Sequence, residues 1–285
     1  MSDPMKKKIG FIDLFIDEWH ANNYPNWIRT SALKDEFDVA FAWEKAPLEG
    51  QKPLTEWCAA QQVTPAASIE EIIEKSDCIC VLAPSNPEVH EELADLALKS
   101  GKPVYIDKPF APNRAAAERM FALAAKYNTP LMSSSALRFG TELIDLRKKG
   151  IKFLSASTCG GGRNFPEYAI HQIEMIVSLL GVGAKELQVC GDEKKLTVAL
   201  RYSDERIASM NYSPHWGFTL AAASDDTGAQ LNTHSDIFPN LLQVILEFYK
   251  TKINPIPVAE TIEIAAILDA AVKGMAQSGS WIKII

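Results

Sequence analysis

A chain of 285 residues with 36 acidic and 29 basic side chains carries a formal net charge of −7. Apolar residues make up 47% and charged residues 23%, a globular composition that excludes disorder for the whole and leaves room for two domains. Apart from Lys6-Lys7-Lys8 there is no basic run, and no apolar stretch reaches membrane length, which argues against nucleic-acid and membrane partners. The N-terminus lacks a signal-peptide layout, so a cytoplasmic protein is expected.

Met1-Ser2-Asp3-Pro4 ahead of Met5 reads as a vector-derived remnant and is set aside. From 8 to about 135, short apolar runs at 9–14, 39–43, 78–82, 104–106 and 130–132 alternate with helical periods at 69–75, 88–99 and 114–127. Buried-type strands separated by helices predict α/β architecture, a Rossmann-like doubly wound parallel sheet. Ligands of such sheets bind beyond the carboxyl ends of the strands.

The second half reads differently. Segments 151–158, 186–189, 196–202, 207–212, 218–223 and 230–233 are strand-like, with turn signals at Ser203-Asp204-Glu205 and Asp225-Asp226-Thr227-Gly228. Helices are predicted at 168–180, 237–249 and 258–277, packed on one face of an antiparallel meander. The expected organisation is a dinucleotide-binding-type domain over 1–135 and an α+β domain over 136–285 with an open, mostly antiparallel sheet. Cys58, Cys78, Cys80, Cys159 and Cys190 are scattered and are expected to be reduced, mostly buried thiols.

The residues that carry chemistry follow the strands. Gly101-Lys102-Pro103-Val104-Tyr105-Ile106-Asp107-Lys108-Pro109-Phe110 is a strand ending in an acidic residue, a lysine and a proline. A lysine at a strand's carboxyl end can polarise a substrate oxygen, although an ordinary surface lysine before a helix fits the same spacing. Ala83-Pro84-Ser85-Asn86 with His90 follows the preceding strand. A later helix places Glu167, His171 and Glu174 at i, i+4 and i+7, on one face. Arg138-Phe139 and the closing Trp281-Ile282-Lys283-Ile284 complete the pattern.

In these features the sequence resembles the Gfo/Idh/MocA family of NAD(P)-dependent sugar and polyol dehydrogenases, over most of the chain. The resemblance implies Lys108 beside the nicotinamide and the substrate hydroxyl, with Asp107 where the family usually has Glu. It implies Ala83, Pro84, Ser85 and Asn86 among the cofactor contacts. It also implies His171 as proton acceptor and Glu167 as its orienting partner. The family pattern there is Asp-x-x-x-His-x-x-Asp, and this chain has Glu at both acidic positions. A metal held by Glu167, His171 and Glu174 is chemically open, but no metal is expected. The resemblance further implies a homo-oligomer, dimer or tetramer, formed through the C-terminal sheet.

One departure is plain. Dinucleotide-binding folds place G-x-G-x-x-G after the first strand, whereas no glycine occurs here between Gly10 and Gly50. Asp13, Phe15 and Glu18 stand where glycines are expected, and carboxylates repel a diphosphate. Glu44, ending the second strand, suits either a ribose diol or a solvated strand end, and it favours NAD over NADP as cofactor. Trp19, His20, Asn22, Asn23 and Tyr24 suit a sugar surface or a plain first helix. Asn164, Tyr168, His215 and Trp216 are candidate pocket liners.

The expected function is hydride transfer between a nicotinamide cofactor and a sugar, polyol or related hydroxy compound. The alternative is a relative that binds a small polar ligand without NAD(P), or an isomerase or lyase on the same scaffold.

Overall fold

The computed structural model describes residues 6–285, and Met1-Ser2-Asp3-Pro4 lies outside them. The chain divides into two compact units. Unit 1 comprises the residues up to Ala111 with Glu118–Ser133 and Leu241–Ile256; unit 2 comprises Pro112–Ala117, Ser134–Asn240 and Pro257–Ile285.

Unit 1 is built on six strands: β1 (Lys7–Asp13), β2 (Phe37–Glu44), β3 (Thr64–Pro65), β4 (Cys78–Val81), β5 (Val104–Ile106) and β6 (Leu131–Met132). They pair in parallel in the order β3-β2-β1-β4-β5-β6. Strands β4 and β5 are buried along their whole length, which is why their sequences are uninterrupted apolar runs. The order reverses between β1 and β4, the switch point at which such sheets take ligands. Helices α1 (Trp19–Thr30), α2 (Leu54–Gln61), α3 (Ile69–Lys75), α4 (Pro87–Leu98) and α5 (Arg114–Lys126) connect the strands. Gly10 has a packing role: a Cβ there would run into the Ser76 hydroxyl and Ile72, so its absence lets α3 lie close on β1.

Unit 2 carries β7 (Ser155–Gly160), β8 (Ala184–Asp192), β9 (Lys195–Tyr202), β10 (Ile207–Tyr212), β11 (Thr219–Ala223), β12 (Gly228–Leu231) and β13 (Trp281–Lys283). Their order is β12-β11-β7-β10-β9-β8-β13. The pairing is antiparallel except between β10 and β7, where β7 enters the sheet and separates β10 from β11. The expected simple meander is corrected here. A parallel pair needs a long crossover, and the chain between β7 and β10 supplies it with α7 (Phe165–Leu180), β8 and β9. Helix α7 and α9 (Val258–Met275) share the core with one face of the sheet, through Ile173, Ile176, Val177, Leu187, Val198, Met210 and Ile267. Alternation along β9 and β10 leaves the other face to polar and small side chains together with Ile207, with Arg201 lying 3.8 Å over the Trp281 ring.

Three helices differ from expectation. Helix α6 (Thr141–Lys148) is short and polar, and the sequence reading passed over it, as it did α2. Helix α8 (Ile237–Thr251) was grouped with the second sheet. From Leu241 onward it belongs to unit 1, where the Tyr249 hydroxyl donates to the Ile79 carbonyl at 2.9 Å and its ring meets Phe37. Cys58, Cys78 and Cys80 are buried, Cys190 is exposed, and all five cysteines are unpaired. Among the described residues no helix is long and apolar enough to cross a membrane.

Candidate functional site

The carboxyl ends of the unit 1 strands gather an unusual amount of buried charge. Asp13, the last residue of β1, is 0% exposed, and Asp107, just after β5, is 1% exposed. The Oδ1 of Asp13 accepts from the Leu14 and Ala83 amides at 2.7 and 2.9 Å, which fastens the β1 loop to the turn after β4. Its Oδ2 is buried without a hydrogen-bond partner among the described residues. Burial, with the nearby Glu18 charge, pushes the Asp13 carboxyl well above its ordinary range.

Glu18 is the N-cap of α1. Its two carboxylate oxygens accept from the first free amides of that helix, His20 N at 2.7 Å and Ala21 N. Those donors have no partner within the helix, and the helix dipole favours negative charge beside them. Burial raises the Glu18 pKa to about 7 against the opposing pull of His20 and the two amides. Glu44, ending β2, is held in the same way: Oε2 accepts from Ile16 N at 2.9 Å and Oε1 from Leu54 N at 2.7 Å. Each oxygen thus already accepts one backbone amide, and a ribose diol, as the sequence suggested, would share them with those amides.

His20, in the first turn of α1, sets Nδ1 2.6 Å from Asp107 Oδ2 and 4.0 Å from Glu18 Oε2. Burial works against an ionised Asp107, but the charge of the nearby His20, the Lys108 charge and the Lys108 amide hold its pKa down to about 2. Lys108 itself is half-buried. His90 ties the turns after β4 and β5: one ring nitrogen lies 2.7 Å from the Leu82 carbonyl and the other 3.1 Å from that of Phe110. Within the Ala83-Pro84-Ser85-Asn86 turn, Ala83 and Ser85 have positive φ, and Asn86 opens α4.

The Trp19–Tyr24 group is the first turns of α1. Tyr24 is buried, Asn22 accepts from Trp57 Nε1 at 2.8 Å, and Trp19 remains 51% exposed at its edge.

In unit 2, α7 begins at Phe165, three residues earlier than the sequence suggested, because Asn164 caps it by accepting from Glu167 N at 2.9 Å. Glu167 returns the bond by accepting from Asn164 Nδ2, and it also pairs with Arg163. His171 Nδ1 lies 2.6 Å from the Ser135 hydroxyl, with its ring against Tyr168 and Phe218. Glu174 is committed elsewhere. It accepts from Ser135 N and from Arg138, whose guanidinium also meets Glu260, forming a buried ion cluster that sequence spacing did not reveal. Thus the three groups of the helix face divide between different partners, and among the described residues no cluster of three His, Cys, Asp or Glu side chains has metal-holding geometry. The short passage before α7 is tightly packed, since a Cβ on Gly161 would strike the Ser213 carbonyl. His215 and Trp216 are exposed.

Residues 26–135 match the family described as oxidoreductase family, NAD-binding Rossmann fold. The dTDP-3,4-didehydro-2,6-dideoxy-alpha-D-glucose 3-reductase of Actinomadura kijaniata is 32% identical over 108 residues, 33% of this chain and 32% of that protein. The matches span about a third of the length of the curated relatives. In fold, the chain is similar to myo-inositol 2-dehydrogenase from Lactobacillus plantarum, with a TM-score of 0.81 at 14% identity, covering 99% of this chain and 100% of that one. It is also similar to the WlbA dehydrogenase from Bordetella pertussis, solved with NADH and UDP-GlcNAcA, with a TM-score of 0.78 at 14% identity over 98% and 99% of the two chains.

Proposed function

Taking the chain as the Gfo/Idh/MocA-family member that its N-terminal half identifies, we propose that it transforms a sugar, polyol or related hydroxy compound at the carboxyl ends of the unit 1 strands. Lys108 polarises the reacting oxygen, and the Asp107–His20 pair receives or returns its proton. The observation that carries this reading is the 2.6 Å contact between His20 Nδ1 and Asp107 Oδ2, one residue before Lys108. A buried carboxylate beside the imidazole orients the ring toward the strand ends, where a histidine can serve as an acid–base group. In this reading 1–135 supplies the chemistry, while 136–285 supplies substrate contacts, with Glu167 and His171 as the proposed groups, and an association surface.

The family's hydride carrier is a nicotinamide dinucleotide, NAD or NADP. The groups around the start of α1 do not fit the diphosphate of such a molecule, because Glu18 and Glu44 already hold the amides it would need. The test is turnover of a panel of sugars, polyols and their keto and acid derivatives, followed by NMR with and without added dinucleotide. Lys108→Ala and His20→Asn should abolish any conversion found in the wild type. Undiminished conversion in both variants would remove this site from the reaction.

A further inference from the structure

We propose that unit 1 carries built-in carboxylates in the places where a dinucleotide-binding Rossmann sheet holds its ligand, so that no NAD(P) is held at the start of α1. A diphosphate binds such folds through amides of the loop after β1 and at the N-terminus of the helix that follows, reached because glycines let it approach. Here those amides are already satisfied. Leu14 donates to Asp13, Ile16 donates to Glu44, and His20 and Ala21 donate to Glu18. Glu18 thus does for α1 what a phosphate does in a nucleotide site: it brings two oxygens to the free amides of one helix end. Glu44, in the position of a ribose-binding acid, has both oxygens turned inward to Ile16 and Leu54.

The bulk of the loop agrees with this. Phe15 stands where a glycine would leave room for backbone to approach a ligand, and the neighbouring Ile16 is 0% exposed in the core. A diphosphate arriving here would have to displace Glu18 from the His20 and Ala21 amides that it caps. The loop is therefore a finished piece of structure. The proposal rests on the reading above and concerns the diphosphate position at the start of α1 alone.

Hydrogen exchange on the full chain tests this without any substrate. In the wild type the amides of His20 and Ala21 should exchange slowly, and about 1 mM NAD+, NADH, NADP+ or NADPH should leave their rates unchanged. Slowing of those amides by threefold or more on addition of any of the four would overturn the proposal. Glu18→Gly removes the internal acceptor, so exchange at the same amides should accelerate at least tenfold; unaltered exchange in a folded variant would also overturn it. The wild-type result stands if that variant fails to fold. Conversion by the wild type that is lost in Lys108→Ala would keep the site reading alive whichever way the exchange experiment falls.

Discussion

His20 Nδ1 lies 2.6 Å from Asp107 Oδ2, which joins the first turn of α1 to the residue that follows β5. The pair crosses the switch point of the parallel sheet and leaves neither partner exposed. Asp107→Asn strands the His20 ring in a buried place and should cost about 3–5 kcal/mol of stability by chemical denaturation. The same pair sets an acid limit. Asp107 has a folded pKa of about 2, below its unfolded value near 4, so its contribution is full above pH 4 and is lost as pH falls toward 2. Stability measured from pH 5 to pH 2 should decline less steeply in Asp107→Asn than in the wild type.

Glu18 acts with the opposite sign. Its folded pKa of about 7 exceeds the unfolded value, so the folded state holds the proton more tightly, and stability declines as pH rises from about 4.5 through 7. Asp13, also raised by burial, adds to this trend. Glu18→Gln keeps an acceptor at the cap and removes the titration, so its melting temperature should vary less between pH 5 and pH 8. An unchanged slope in the variant would show that Glu18 ionises freely.

The Arg138 cluster of unit 2 predicts a purely structural effect. Arg138→Met leaves Glu174 and Glu260 without their shared cation, and Glu174 is already pushed upward by burial. A loss of about 3–5 kcal/mol is expected. A double variant, Arg138→Met with Glu174→Gln, should recover part of it, and failure to recover any would show that the pair is not coupled.

The solvent side of the unit 2 sheet is the proposed association face. Ile207 is 58% exposed and Trp281 is 37% exposed, beside a surface of alanine and serine side chains. Light scattering should report a homo-oligomer at micromolar concentration, and Ile207→Glu should shift it toward the monomer. A monomeric wild type would contradict this assignment.

The parallel sheet was legible because burial on both faces writes itself as apolar runs: 104–106 and 69–75 emerge with the predicted bounds as β5 and α3. The parallel entry of β7 was not legible, since strand order depends on contacts distant in sequence and both orientations read as the same alternation. At the site, the spacing of Asp13, Glu18 and Glu44 exposed the missing glycines but not where the carboxylates turn. The available signal was an acidic residue one position before an amphipathic helix, the place where an anion satisfies free amides. His20 was read with a surface group, and only the fold brings it to Asp107, 87 positions away in sequence.

Equilibrium titration of the wild-type protein with NADH, followed by nicotinamide fluorescence, bears most directly on the claim that Glu18 and Glu44 take the dinucleotide's place. The structure predicts no saturable change up to about 1 mM, because the amides of Ile16, His20 and Ala21 are already bonded to carboxylates. Saturable binding with a Kd below about 100 μM would contradict it and would return the chain to the nicotinamide-dependent dehydrogenases.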